Sequence, residues 1–423
     1  MRAHFLGAVV AAVAAFVSPA LADAPKPRDV IVHYADLAQV MYESSAATAK
    51  DLQKAIDAFL AAPSAETLGK ARGAWKSARV YYQQTEAFRF GNKIVDDWEG
   101  NVNAWPLDEG LIDYVDKKSY GEKSDENPLY TANVIASKSI RIGKKTVDVT
   151  KITPQLLHDL NTAGGVEANV GSGWHAIEFL LWGQNLHNAT PSEGQRAYTD
   201  YDQKNCTNGN CDRRGQYLKV ATDTLVADLD EMAAAWGAKG KARAALLKKK
   251  DKPGLAVIFT GIGSLSYGEL AGERMKLGLI LHDPEEAHDC FSNNTQNAHY
   301  YDEEGIRAVY YGRYTKPDGS TVTGPSVADL VRAADAKIAD EIDAKSNAAL
   351  AALKTLKDTA DSGEMRYDQM LVEGNTKGAK LIQDGVDALV AQAHAIERGV
   401  AALKLQIKVE GSDSLDNPKA VAK

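Results

Sequence analysis

The sequence is poor in cysteine and in aromatic residues, and it lacks a surplus of positive charge. Three cysteines occur in 423 residues, 7% of the residues are aromatic, and the formal net charge is −8 at pH 7. The acidic balance argues against a nucleic-acid-binding protein, because such proteins need basic surfaces. Beyond the N-terminus we find no segment that is long and apolar enough to cross a membrane, so no transmembrane segment is expected.

The first 22 residues have the pattern of a secretory signal peptide. Arg2 gives a basic start, an apolar run extends from Phe5 to Val17, and the small residues of Ala20-Leu21-Ala22 predict cleavage before Asp23. A membrane anchor is the alternative, but the run is shorter than the roughly 20 residues that a bilayer requires. The run also contains no lipobox cysteine. We therefore expect an exported, soluble protein of the periplasm or cell envelope.

Alanine-rich stretches with apolar residues three and four positions apart predict an all-α fold. Val30 to Leu60, Leu68 to Phe90 and Leu225 to Trp236 are examples of such helices. Alternating segments around Gly143-Lys144 and around Pro317-Asp318-Gly319 predict two small β-hairpins. Neither hairpin is large enough to carry a fold, so the class is all-α with small β-hairpin insertions.

Two helix starts are also encoded locally. Thr153 and Pro154 have the residue types of an N-cap and a first helical position. Ser326 and Asp329 resemble a capping box that opens a long helix. Glu269 to Leu281 is predicted to be a further helix, preceded by a glycine-rich segment.

The mature chain is long enough for two domains. Its halves are loosely alike, since each has alanine-rich helices, one hairpin and a glycine-rich start to a central helix. We interpret this as an internal duplication that produced two helical bundles. The N-terminal bundle would comprise residues 23–245 and the C-terminal bundle residues 246–423, with the boundary in the lysine-rich segment 237–253.

The cysteines predict a local disulfide. Cys206 and Cys211 flank a Thr-Asn-Gly-Asn turn, and export would permit their oxidation. A zinc site is the alternative, but two thiols alone make a poor one. Cys290 would then be free or would compete for a partner.

The strongest local anomaly is the segment from Gly173 to Trp182, in which two ionisable residues interrupt an otherwise apolar helix. His175 and Glu178 are three residues apart and therefore share one face of that helix. A buried carboxylate needs a cation, a donor or a proton, and histidine is a common metal ligand. The sequence therefore favours a metal site at His175 and Glu178. A satisfied His–Glu pair in the core, without chemistry, is the alternative that spacing alone leaves open.

Further ligands would have to come from elsewhere, because the zinc-peptidase motifs His-Glu-x-x-His and His-x-x-Glu-His are absent around His175. One candidate stretch runs from Trp98 to Tyr114, although its acids could simply favour a helix N-terminus. The other combines the helix that starts at Glu269 with the His- and acid-rich segment from His282 to Cys290. That segment could be a cation site of mixed nitrogen and oxygen donors, or a solvated loop.

The chain resembles the imelysin-like family, of the iron-regulated protein A and insulin-cleaving membrane protease type. The signature is Gly173-x-His175-x-x-Glu178, and the resemblance covers essentially the whole mature chain. It is supported by the segments Glu86-Ala-Phe-Arg89-Phe-Gly91, Trp105-Pro-Leu-Asp108-Glu109 and Gly272-Glu-Arg274-Met275. The resemblance implies two helical bundles with a site near their junction, an envelope location and a link to iron acquisition.

Three functions remain open at this stage. The first is a periplasmic protein that binds a metal ion, with iron as the candidate, or an iron-containing small ligand, and works with envelope iron-uptake proteins. The second is a metal-dependent peptidase that uses the same site, and the third is a scaffold in which the His–Glu pair is structural. Besides the motif pair, the candidate site residues are Glu86, Arg89, Trp105, Asp108, Glu109, Asp113, Glu269 and Arg274.

Overall fold

The computed structural model describes residues 24–186, 193–409 and 413–418. It is 65% helical, with two small two-stranded sheets, which confirms the predicted fold class. The predicted signal peptide lies outside the described residues. The α-helices are α1 Pro27–Ala61, α2 Ala65–Gln83, α3 Lys93–Val102, α4 Pro154–Leu160, α5 Gly173–Trp182, α6 Cys211–Trp236, α7 Lys241–Leu247, α8 Asp251–Ser264, α9 Leu277–Leu281, α10 Thr295–Tyr311, α11 Val327–Ala334, α12 Ala336–Asp361, α13 Tyr367–Leu371, α14 Thr376–Ala402 and α15 Asp413–Asp416.

Between α8 and α9 the helix widens to π-type turns at Leu265–Lys276, so that helical structure continues from Asp251 to Leu281. This segment is long and apolar enough to cross a membrane by length and composition, contrary to our expectation from the sequence. However, 83% of its most apolar 18-residue stretch is buried inside the protein. A core helix meets the same criterion, because its apolar side chains face other helices.

Both predicted hairpins are confirmed. Strands β1 Ser139–Ile142 and β2 Lys145–Asp148 pair antiparallel, and so do β3 Arg313–Thr315 and β4 Thr321–Thr323. Gly143, in the first turn, has a φ of +59°, a conformation that glycine adopts without steric cost.

The predicted helix starts are also present, with one correction. The side chain of Thr153 caps α4, and Ser326 and Asp329 form the capping box of α11. The helix that Ser326 opens is short, however, since it ends at Ala334. Asp335 adopts an extended backbone and its side chain accepts hydrogen bonds from the first turn of α12, so an N-cap divides what the sequence suggested was one long helix.

Two groups of helices share one continuous apolar core. In the first, α1 packs against α2 and α6, while α5 lies against α2 and α6. In the second, α12 packs against α14, which in turn contacts the π-type segment. Helix α10 contacts both α2 and α12, and a single cluster of buried side chains extends through both groups. The proposed boundary at 237–253 and the internal duplication stay predictions.

The disulfide between Cys206 and Cys211 is present, with Cα atoms 5.9 Å apart, and Cys290 is a buried free thiol. The bond closes a loop of only a few residues, so it restricts the unfolded chain little. We expect the double variant Cys206→Ser/Cys211→Ser to lose about 2 kcal/mol of unfolding free energy or less. Urea denaturation followed by circular dichroism measures the loss, with the reduced wild-type protein as the control. A loss above about 4 kcal/mol would contradict the loop-size argument.

Candidate functional site

Helix α5 carries the motif through the middle of the protein, and every one of its residues is buried. Its first residue, Gly173, has a φ of +87°. A Cβ atom at this position would lie 2.4 Å from the carbonyl oxygen of Val102, at the end of α3. The glycine of the motif is therefore required by the close approach of two backbones, which fixes the start of α5.

His175 and Glu178 form a hydrogen-bonded pair on α5. The His175 Nδ1 atom lies 3.1 Å from Glu178 Oε2, and neither side chain is exposed to solvent. The other carboxyl oxygen of Glu178 accepts a hydrogen bond of 2.8 Å from the backbone N–H of Ser292. Burial and nearby Asp289 raise the pKa of Glu178 well above its usual range. Burial, Arg79 and Arg274 lower the pKa of His175 well below its usual range, so the imidazole is neutral.

Two residues from the segment that follows α9 join this pair. One potential ligand atom each from His175, His288 and Asp289 lie within 4.8 Å of one another, and all three residues are buried. Thr295 and Asn294 hold Asp289 in place: the Asp289 N–H donates to Thr295 Oγ1, and Asn294 Nδ2 donates to the Asp289 carboxylate. The His- and acid-rich segment that we noted in the sequence thus contributes a histidine and an aspartate.

Arg79 of α2 contacts all three of these residues. Its Nη2 atom lies 2.9 Å from Asp289 Oδ1, 3.3 Å from His175 Nε2 and 3.4 Å from His288 Nδ1. Its Nη1 atom donates to Asn103 Oδ1. Neither Arg79 nor Asn103 was predicted from the sequence. A signal for Arg79 existed, since this charged residue lies on the same face of α2 as the buried residues Trp75 and Tyr82.

A second buried charge cluster surrounds Arg274. Its guanidinium pairs with Glu86 at 2.7 Å, with Glu269 at 2.9 Å and with Asp302 at 2.9 Å. Arg89 contacts Glu269 as well, at 3.3 Å. Burial opposes ionisation of Glu269, but Arg274 and Arg89 together lower its pKa below the usual value. The structure thus brings together four residues that the sequence nominated separately: Glu86, Arg89, Glu269 and Arg274.

A cavity of about 560 Å³ links the two clusters. His288 contributes to its wall from the first cluster, and Arg274 and Glu269 contribute from the second. Trp105 also lines this cavity and packs against His175, with ring centroids 4.9 Å apart. Glu99, another lining residue, has its pKa raised to about 7 by burial, which outweighs the opposing effect of Arg89.

The acids that follow Trp105 have partners elsewhere. Asp113 pairs with Arg196 at 2.8 Å and with Arg214 at 2.6 Å, in a separate ion cluster. Asp108 accepts a hydrogen bond from Asn127. Glu109 lines a different cavity of about 280 Å³, which Asp108 and Trp105 also line. Burial and Glu285 raise the pKa of Glu109 to about 8. The described contacts therefore connect Trp105, but not these three acids, to His175.

Comparison with known proteins shows the family of this chain. Residues 38–396 match the family model of imelysin, which also bears the name peptidase M75. The chain belongs to the imelysin family. This confirms the family resemblance that the motif and its supporting segments indicated.

The individual relatives resemble this chain either over a short segment or at low sequence identity. A segment of 71 residues is 41% identical to iron-regulated protein A of Synechococcus elongatus, and this match covers 16% of our chain and 20% of that protein. Our chain thus spans about a fifth of that relative's length. Two solved structures share the fold. One, described as an iron-regulated protein A precursor of Parabacteroides distasonis, has a TM-score of 0.60 at 16% identity over 90% of our chain and 97% of its own. An imelysin-like protein of Psychrobacter arcticum has a TM-score of 0.55 at 14% identity over 91% and 99%.

The requirement for glycine at the start of the motif helix can be tested by Gly173→Ala. We expect this variant to lose at least about 2 kcal/mol of unfolding free energy, because a positive φ and the Val102 carbonyl both oppose a side chain. Chemical denaturation of the variant and the wild type measures the difference. Gly100→Ala is the matched control, since Gly100 lies in α3 and no atom lies within 4 Å of the position that an added methyl group would take. Equal stability of the two variants would refute the steric explanation.

Proposed function

We propose that this imelysin-family protein is an exported protein of the cell envelope that binds a metal ion at His175, His288 and Asp289. The observation that carries the proposal is the convergence of three potential ligand atoms within 4.8 Å in a buried site. Two imidazoles and one carboxylate form a ligand set that suits ferrous iron. The names of the relatives in Synechococcus elongatus and Parabacteroides distasonis, both iron-regulated protein A, support iron as the ion.

Glu178 takes a supporting role in this proposal. It faces His175 Nδ1, and a carboxylate at one ring nitrogen orients the imidazole so that the other nitrogen can bind a metal. The backbone N–H of Ser292 holds the second carboxyl oxygen in place. The sequence-based assignment of Glu178 as a direct ligand stays a prediction, and the contacts favour the indirect role.

Arg79 is the main competitor for the proposed ion. Its guanidinium contacts both imidazoles and the Asp289 carboxylate, and a cation next to bound metal raises the energy of the complex. The affinity for metal therefore depends on how readily Arg79 gives up Asp289. Asn103, which already accepts a hydrogen bond from Arg79, gives the guanidinium a second partner.

A metal-dependent peptidase is the second candidate, because a catalytic zinc needs three protein ligands and an open position. The motif provides two candidate ligands, whereas the structure adds His288 and Asp289. The peptidase name of the family is consistent with this function. Against it, His175 and Asp289 are fully buried, so a peptide would have to reach the centre through the cavity beside His288.

The remaining parts of the proposal concern location and partners. The N-terminal signal pattern supports export to the periplasm or cell envelope, and the link to iron suggests that iron-uptake proteins of the envelope are partners. Fractionation of cells that express the full-length protein, followed by N-terminal sequencing, tests both the export and the cleavage before Asp23.

Metal titration tests the proposed metal site at His175, His288 and Asp289. We expect the wild-type protein to bind one Fe²⁺ under anaerobic conditions, with Zn²⁺ as a redox-inert comparison. His288→Gln should weaken binding by about 100-fold or more, because it removes a ligand, and Glu178→Gln by about 10- to 100-fold, the usual effect of losing an orienting partner. Isothermal calorimetry and elemental analysis measure both.

The control for this titration is His158→Gln. His158 is a partly exposed histidine whose described partner is Asp228 on α6, so its replacement should leave metal binding unchanged. Melting curves of all variants separate loss of the ligand from loss of the fold. Identical titrations for the wild type, His288→Gln and Glu178→Gln would end the metal-site proposal.

Casein and insulin cleavage separates the binding protein from the peptidase. If the protein only binds the ion, the metal-loaded wild type should show no turnover above the level of Glu178→Gln. Turnover that requires metal and disappears in both Glu178→Gln and His288→Gln would instead establish the peptidase function.

A further inference from the structure

The cavity beside the candidate centre has strongly acidic walls. Among the described residues, seven carboxylates and two guanidiniums line it. Both guanidiniums, Arg89 and Arg274, are already paired with buried or partly buried acids. A cavity with this excess of negative charge attracts cations and repels anions, because low-dielectric walls focus the field.

Three of these carboxylates lie on different parts of the chain and face the same space: Glu167 before α5, Glu273 in the π-type segment and Glu286 after α9. Glu273 and Glu286 are partly buried, whereas Glu167 is exposed to solvent. Carboxylates that face one space repel one another, and a cation that comes near relieves this repulsion. The three acids therefore favour the approach of a positively charged ligand.

Unpartnered donors on two residues that line the cavity give an independent indication of a ligand. Asn103 is 2% exposed, and its Nδ2 atom has no hydrogen-bond partner among the described residues. Its Oδ1 atom accepts from Arg79, which fixes the amide so that Nδ2 is the free donor. The Trp105 Nε1 atom is also buried and has no hydrogen-bond partner in the part of the chain that the structure describes. Both residues line the cavity, as His288 does.

A buried donor without an acceptor destabilises the folded protein, so these two N–H groups need an oxygen atom. Water or hydroxide that accompanies a metal ion supplies one. An anionic chelate would also supply oxygen atoms, but it would have to pass the carboxylates of the cavity wall.

We propose that the cavity admits the metal as a hydrated cation rather than as an anionic chelate, with Glu167, Glu273 and Glu286 attracting it and Asn103 and Trp105 holding its water. This inference rests on the proposed function, because the ion must end at His175, His288 and Asp289. It identifies the form in which the metal is bound, which the ligand set alone leaves open.

Stopped-flow association of Zn²⁺ with the full-length mature protein tests the role of the acids. We expect the triple variant Glu167→Gln/Glu273→Gln/Glu286→Gln to slow association about tenfold or more at low ionic strength. The dissociation rate should stay within about twofold, because the three ligands are unchanged. The triple Glu43→Gln/Asp51→Asn/Glu66→Gln changes the net charge equally, at exposed positions on α1 and α2, and should leave both rates unchanged.

A second arm uses Fe²⁺ and the anionic complex of Fe³⁺ with citrate as probes. We expect the protein to retain Fe²⁺ after gel filtration and to retain no citrate. Retention of iron and citrate together, or equal association rates for the two triple variants, would overturn the inference while metal binding itself survives. Absence of metal binding in the wild type would instead refute the proposed function, and the inference with it.

The donors are tested by Trp105→Phe, which removes the indole N–H and keeps an aromatic ring, with melting curves to confirm folding. We expect metal affinity to fall about tenfold, since one bond to the water of the ion is lost, while the association rate is unchanged. An affinity equal to that of the wild type would show that Trp105 Nε1 has no contact with the bound ion or its water, and would contradict the proposed arrangement.

Discussion

The buried ion pair between Arg79 and Asp289 is the contact on which the candidate centre depends. The guanidinium comes from α2 and the carboxylate from the segment before α10, more than two hundred positions later in the chain. Removing one partner of such a pair typically costs about 3–5 kcal/mol, because the other charge stays buried. Since Arg79 also contacts His175 and His288, this one pair brings both imidazoles to the carboxylate.

The need of a buried charge for a partner of opposite charge also explains the second cluster around Arg274. A guanidinium that is almost fully buried must be surrounded by acids, and Glu86, Glu269 and Asp302 provide them. These acids come from the turn after α2, from the π-type segment and from α10. The charge requirement of one side chain thus fixes the relative positions of three elements, and the cavity between the two clusters is a consequence of that packing.

The buried polar residues around the candidate centre are of two kinds, those that have a partner and those that keep a donor without an acceptor. Arg79 and Asp289 are matched to each other, whereas the Asn103 amide and the Trp105 indole each keep a donor without an acceptor among the described residues. Native proteins leave few buried polar atoms unsatisfied, and these two donors belong to residues that line the same cavity as His288. Matched charges therefore stabilise the wall of the site, and the unmatched donors support the ligand site that we propose.

The sequence by itself determined the local features. Apolar spacing and alanine content specified the helices, turn residues specified the two hairpins, and five-residue spacing specified the disulfide, because each depends on interactions between near neighbours in the chain. The Gly173-x-His175-x-x-Glu178 pattern located the buried pair, since a 3.6-residue period places His175 and Glu178 on one face. Even the division between α11 and α12 is local, although the N-cap role of Asp335 was missed.

Only the tertiary structure decided which distant residues complete the site. Trp105, Arg89, Glu269 and Arg274 proved to line one cavity, and Glu86 pairs with Arg274. Asp113 is equally acidic and close to Trp105 in sequence, but it pairs with Arg196 and Arg214. Charge alone cannot distinguish these cases. A buried carboxylate can form an ion pair with any buried guanidinium that packing brings close enough. The sequence pointed to the segment that contains His288 without singling out that residue, and it gave no prediction for Arg79. Both residues become part of the centre only because packing places α2, α5 and the segment before α10 side by side.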